Sequence, residues 1–293
     1  MITDPALYGD WHLASRAEAV RHGEPLKVRL LQQDIDLSRD SSGKLLAVPA
    51  QGAQASAPAA KNSQPASAIE RYGLVWVCLG EPAQDVLTFP EFDDPRYQKV
   101  VCGPYGVRAS GPRIVENFLD MAHLPFVHTG ILGDESYSEV LEYNAEAGVQ
   151  GEGPVSANCL FWQPKPTAVA EGASDVRYTF RVLRPFSAML TKELDKPGGH
   201  GLSILLSVQP VEPASSIVWI LYAVTDHAKS DVALRARQEL VFMQDKPILE
   251  NQLPALLPLA PQAELSVRSD RLSLAYRRYL REQGLRFGVT HAG

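Results

Sequence analysis

The stretch Glu116 to His128, ENFLDMAHLPFVH, sets Asn117, Asp120, His123 and His128 in the pattern N-x-x-D-x-x-H-x-x-x-x-H, and it constrains the chain more than any other segment. Two neutral imidazoles joined by one later carboxylate make a facial triad, which holds iron(II) through three protein ligands and leaves positions open for dioxygen and substrate. The fold must then carry a distant acidic residue to these histidines. Asp120 and His123 stand three residues apart, so on a helix they share a face. From there the carboxylate can bond the far nitrogen of the ring and fix its tautomer. Pro125 disfavours helical angles at Leu124, which predicts that the helix ends or bends there and brings His128 round toward His123. The plainer alternative is a pair of buried histidines satisfied by ordinary hydrogen bonds.

Spacing alone leaves the third ligand open among Glu116, Asp134, Glu239 and Asp245. Val241, Asp245, Ile248 and Gln252 fall at i, i+4, i+7 and i+11, one stripe of a helix, which predicts that Asp245 faces inward. A buried carboxylate needs a partner, and a metal would supply one. Pro247 takes the usual donor from the carbonyl of Met243 and predicts a kink beside Asp245.

The spaced motif, with Glu116 and Phe118 beside Asn117, resembles the mononuclear iron site of Rieske-type non-heme oxygenases, in particular the branch of O- and N-demethylases. The resemblance implies a third ligand on a downstream helix, and the matching segment, Gln244 to Gln252, nominates Asp245. It also assigns Asn117 and Asp120 to the catalytic machinery, with Asp120 on the path by which electrons reach the iron. The fold implied is the helix-grip domain, a curved antiparallel sheet over long helices.

Members of this family carry a two-iron cluster on two Cys and two His, as C-x-H followed by C-x-x-H. Here the cysteines are Cys78, Cys102 and Cys159, and none has a His two or three residues later. The flanks of the cluster domain nevertheless resemble the family's: Pro25 to Val48 reads as two strands with a turn at Ser41-Ser42-Gly43, and Tyr72 to Gly80 as a further apolar strand. Between them Gln51 to Ala68, rich in Ala, Ser, Pro and Gln, reads as a flexible linker. Residues 1–80 are therefore expected to be a truncated Rieske-domain remnant without cluster, and residues 81–293 the mononuclear iron domain.

With 293 residues and 45% hydrophobic content the chain can bury one large core or two modest ones. The formal charge of −6 and the lack of any basic run speak against nucleic acid as a partner. The first residues have neither a cationic nor an apolar signal region, and no stretch reaches the length of a membrane span, so a cytoplasmic protein is expected. Irregularly spaced cysteines fit a reducing compartment and buried apolar roles. Strands are expected near residues 98–109, 138–146, 158–162, 176–183, 201–211 and 216–225, and helices near 229–252 and 266–283, an α+β arrangement. Phe161, Trp162, Phe180, Phe186 and Phe242 are candidates to line a slot for a flat ring, with Gln252 offering an amide to it. Gly198 to Gly201 reads as a mobile loop in which His200 is exposed.

The resemblance, joined to the missing cluster, implies an iron(II) and dioxygen-dependent N-demethylase of a methylxanthine, converting 7-methylxanthine to xanthine and formaldehyde. Its electrons would come from NADH through a partner reductase bearing a Rieske domain, with further subunits possible in the complex. The chain itself has no G-x-G-x-x-G after a strand with which to bind a dinucleotide. The same iron motif suits O-demethylation or hydroxylation of another small aromatic, and a helix-grip cavity also suits a non-catalytic ligand-binding subunit.

Overall fold

The computed structural model describes residues 4–50, 65–149, 151–166, 172–194, 201–225, 227 and 229–291. The expected linker is thus outside the described residues up to position 64, as is His200. Its last part is sheet: Ala66 bridges Ala47, and Ser67 opens a strand.

The described residues among the first eighty form a helical turn, α1 (Pro5–Tyr8), and six strands: β1 (His12–Arg16), β2 (Leu26–Leu30), β3 (Gln33–Arg39), β4 (Leu45–Pro49), β5 (Ser67–Arg71) and β6 (Leu74–Cys78). They make two three-stranded sheets, β1-β6-β5 and β2-β3-β4. Pro25 to Val48 therefore holds three strands where two were expected. The extra reversal is at Leu31-Gln32, where both residues have positive φ (48° and 67°), as a two-residue hairpin turn of this hand requires. No Gly or Asn marks it. Tertiary bonds hold the turn instead, Leu31 N donating to Pro210 O at 2.7 Å and Gln32 N to Val211 O at 3.0 Å.

After a second short helix, α2 (Pro90–Asp93), the chain builds a six-stranded antiparallel sheet in the order β7-β12-β11-β10-β9-β8 from β7 (Gln98–Val107), β8 (Val155–Gln163), β9 (Ser174–Arg184), β10 (Ser187–Leu194), β11 (Leu202–Glu212) and β12 (Ser215–Val224). Alternation puts Phe180, Ile204, Leu206 and Ile220 on one face and Leu183, Leu205, Trp219 and Leu221 on the other. The second face packs with Trp11, Leu13, Trp76 and Phe89 of the N-terminal region. The first packs on the helices. Residues 138–145, expected as a strand, run as irregular chain, with one bridge at Glu146. Contacts with the C-terminal region fix that stretch: Arg271 donates to Tyr143 O at 2.6 Å, and the Tyr143 hydroxyl donates to the backbone of Ser269 at 2.5 Å.

The helices are α3 (Gly111–Leu119), α4 (Leu124–Val127), α5 (Asp231–Asn251) and α6 (Arg271–Glu282). The motif spans two of them. Helix α3 starts on a Ser110 cap and ends at Asp120, whose ψ of 127° is extended. Asp120 and His123 therefore meet across a turn and not along one helix face. Pro125 does not stop a helix but lies in the first turn of α4, where its missing N–H costs nothing. Past His128 the chain doubles back until Gly133 presses on Pro125, and a Cβ there would stand 2.7 Å from Pro125 Cα and N. Gly133→Ala should lower stability by about 1–3 kcal/mol through overpacking against backbone. Denaturant unfolding beside wild type measures it, and equal midpoints would show that the turn has slack.

Candidate metal centre

Two local contacts and one from a distant helix shape the motif turn. Asp120 accepts from Ala122 N through Oδ1 at 2.8 Å and lies 3.2 Å from His123 Nδ1 through Oδ2. His128, at the end of α4, is buried, and its Nδ1 lies 2.9 Å from Gln244 Oε1 on α5. With a carboxylate and an amide oxygen as partners, each Nδ1 is the protonated nitrogen, and each Nε2 is left with a lone pair. Both Nε2 atoms point at the same carboxylate: Asp245 Oδ1 is 3.4 Å from His123 Nε2 and 3.1 Å from His128 Nε2.

This is an arrangement of acceptors without a donor. Asp245 Oδ1 is buried and receives no properly aligned hydrogen bond from either ring. One ligand atom each from His123, His128 and Asp245 lies within 4.8 Å of the others. Three facing lone pairs in a largely buried site repel one another unless a cation sits among them. A proton is the fallback. Burial pushes the His123 imidazole down, but the adjacent carboxylates of Asp120 and Asp245 outweigh that and raise it to about 9. Burial likewise pushes Asp245 up, and the two imidazoles overcome it and hold the carboxyl below its usual range. The donor set of two imidazoles and one carboxylate, with open sides, suits iron(II).

Asp245 does face inward, although the buried stripe of α5 is Leu234, Phe242, Asp245 and Leu249, and Ile248 is 53% exposed. The expected stripe shared only Asp245 with it. On the other side of the motif, α3 is clamped to α6 by charge. Glu116 takes two bonds from Arg277 at 2.5 and 2.9 Å, Glu264 accepts from Arg113 at 2.5 Å and from Arg277 at 2.6 Å, and the Arg113 side chain is fully buried. Glu116, one of the rival ligands, is thus committed to arginines.

The triad residues also line a cavity whose opposite wall is the large sheet. Phe180, Leu190, Ile204 and Tyr222 stand side by side across β9 to β12 and form its apolar floor, and Val241 and Phe242 come from α5. Asn117, Tyr178, Lys192, Arg237 and Gln238 supply its polar edges. Of the aromatic candidates, Phe180 and Phe242 are on this wall. Phe161 and Trp162 are not, because β8 is an edge strand beyond the cavity; they line a surface groove, where Trp162 stacks on Tyr137 at 4.0 Å. Phe186 packs against Phe287 and beneath Gly111. Gln252 caps α5 and lines an outer groove, whose floor includes Asp120 and His123. Nothing in the sequence pattern singles out Gln244, next to Asp245, or Lys192, which shares one strand face with Leu190 and Ala188.

A model of the vanillate O-demethylase oxygenase C-terminal domain matches residues 107–285, and the chain belongs to that family. A probable methylxanthine N7-demethylase, NdmC of Pseudomonas sp. (strain TJI-51), is 41% identical over 235 residues, 80% of this chain and 83% of that protein. Methylxanthine N1-demethylase NdmA of Pseudomonas putida is 32% identical over 219 residues, 73% of this chain and 59% of its own length. Among solved structures, the NdmA QL mutant of Pseudomonas putida CBB5 with theobromine has a TM-score of 0.76 and 21% identity over 95% of this chain and 91% of its own. Apo dicamba monooxygenase reaches 0.65 at 15% identity, covering 95% of this chain and 98% of that one. At such identities these two structures speak for the fold.

Gln244 gives the centre a test of its own. Gln244→Leu should keep the fold and weaken iron(II) binding about 10–100-fold, the usual cost of removing the group that orients a metal-bound His. Chelator competition measures the affinity, and an unchanged constant would mean that α4 alone orients His128.

Proposed function

We propose that this chain is the oxygenase component of an oxidative N-demethylase acting on a methylxanthine, with 7-methylxanthine going to xanthine and formaldehyde. The observation that carries the reading is the convergence of His123 Nε2 and His128 Nε2 on the orphaned Asp245 carboxylate oxygen, in a chain 41% identical to a probable methylxanthine N7-demethylase. These three residues would hold iron(II), and the group would supply dioxygen activation: one oxygen atom enters a methyl C–H bond, the other leaves as water with two electrons and two protons, and the N-hydroxymethyl product releases formaldehyde.

The protein's own part is binding, orientation and exclusion of water. Asp120 and Gln244 fix the two imidazoles so that Nε2 of each faces inward. Phe180, Leu190, Ile204, Tyr222 and Phe242 give a flat ring apolar surface to lie on, and Asn117 stands at the edge beside the triad. Asp120 borders both the cavity and the outer groove and keeps about a third of its side chain exposed, 29%. That placement suits a residue coupling an external electron donor to the centre. Cys78, Cys102 and Cys159 are buried free thiols, so the donor we assign is a reductase carrying a Rieske domain and using NADH. Residues 1–80 are on this reading the covering remnant of a cluster domain, and 81–293 the catalytic domain. No helix among the described residues is long and apolar enough to cross a membrane.

The family match itself favours a second reading, O-demethylation of a small methoxylated aromatic at the same centre. With a Rieske reductase and NADH, wild type should release formaldehyde from 7-methylxanthine, with about one iron per chain after anaerobic reconstitution. His123→Ala and Asp245→Ala should lose the iron, and Asp120→Asn should keep most of it while losing turnover. Formaldehyde from methoxybenzoates alone would leave the chemistry standing and replace the substrate. Full iron content in both ligand variants would remove the centre altogether.

A further inference from the structure

One charged group on the sheet wall has no part in the chemistry above. Lys192, on β10, is 3% exposed and lines the cavity. Its Nζ donates to Gln163 Oε1 at 2.9 Å and to the carbonyl of Pro166. Gln163 is itself buried and fully used, since its Nε2 donates to Leu132 O at 3.0 Å and to the Tyr178 hydroxyl at 2.5 Å. An ammonium has three N–H groups, and two are thus taken by neutral acceptors. Among the described residues no carboxylate pairs with Lys192. Burial and the like charge of Arg237 instead push the amine down to about 7.

A cation buried without a counter-charge is costly, and a Leu or Met would fill the same volume without that cost. The neighbouring inward positions are apolar: Leu190 on the same strand, Leu202 paired with Lys192, and Ile204 beyond it. Tyr178, directly across on β9, accepts from Gln163 and so has its own proton to give. Two donors therefore converge on the sheet wall, facing the helices that carry the triad.

We propose that Lys192 is the specificity-determining donor of this cavity, giving its third N–H to an sp2 oxygen on the ring of the ligand. A ring carbonyl of an oxopurine and the carboxylate of an aromatic acid share that chemistry. The choice of ligands rests on the oxygenase reading above. A ligand held this way has its oxygen-bearing edge on the sheet and its opposite edge toward His123, His128 and Asp245.

Equilibrium binding to the full chain, kept free of dioxygen so that nothing is consumed, tests it with two matched pairs. One pair is 7-methylxanthine, which has ring carbonyls, and 7-methylpurine, which has none; the other is 4-methoxybenzoate and anisole. Wild type should bind the oxygen-bearing member of one pair about 10–100-fold more tightly, the range expected for a hydrogen bond to a charged donor. Lys192→Met should close that gap and leave the oxygen-free member unchanged. If the Met variant is unstable, Lys192→Gln, which keeps a neutral donor, should narrow the gap. A gap in the purine pair fits N-demethylation; a gap confined to the benzoate pair keeps the role of Lys192 and overturns the methylxanthine substrate. Absence of any gap in wild type, or a gap that survives both substitutions, overturns the proposal and leaves the demethylase reading to turnover.

Discussion

Two imidazole nitrogens and one carboxylate oxygen aim lone pairs at a single buried point, and the rest of the molecule is arranged to keep them there. Left alone, such acceptors would separate or take up a proton. They cannot easily separate, because His123 and His128 leave a turn closed by Gly133 against Pro125, and Asp245 rides on a helix of 21 residues. Each ring is also gripped from behind, one by Asp120 and the other by Gln244. Beneath the turn, Arg113, Glu116, Glu264 and Arg277 tie α3 to α6 and to the segment between them. A buried network of this kind adds little net stability over apolar packing, but removing one member strands the others, so it holds geometry more than it contributes energy.

Much of the centre was legible because its parts are local. The spacing of Asp120, His123 and His128 fixes which atoms can meet whether the backbone is helix or turn, so the grouping survived an incorrect picture of the helix. Asp245 was reachable from its inward position, yet the stripe drawn through Ile248 and Gln252 was rotated from the one the helix buries. Periodicity located the face to within a residue or so, and packing against β7 and α3 settled it. Residues whose role depends on strand pairing were hidden. Lys192 acquires its meaning from Tyr178 and Leu202 on the flanking strands, and the β10 segment that carries it was not recognised as a strand. The Leu31-Gln32 reversal is similar: tertiary hydrogen bonds impose it on residues with no turn preference.

The cavity is asymmetric in a chemically useful way. On the helical side, the corner formed by His123, His128 and Asp245 offers lone pairs that suit a positive charge. The opposite wall, made of strands, offers N–H and O–H donors set in aliphatic and aromatic surface. A planar molecule with polar atoms at one edge and an alkyl group at the other complements both walls at once, whereas one lacking the polar edge would leave a buried donor unmatched.

The six-stranded sheet is covered on both faces, and the outer cover is Trp11, Leu13, Trp76 and Phe89, all from the first ninety residues or so of the chain. That region consequently cannot be removed without uncovering the sheet. Stripped of it, Leu205, Trp219 and Leu221 would meet water as a broad greasy plate, the kind of surface that makes proteins stick to one another.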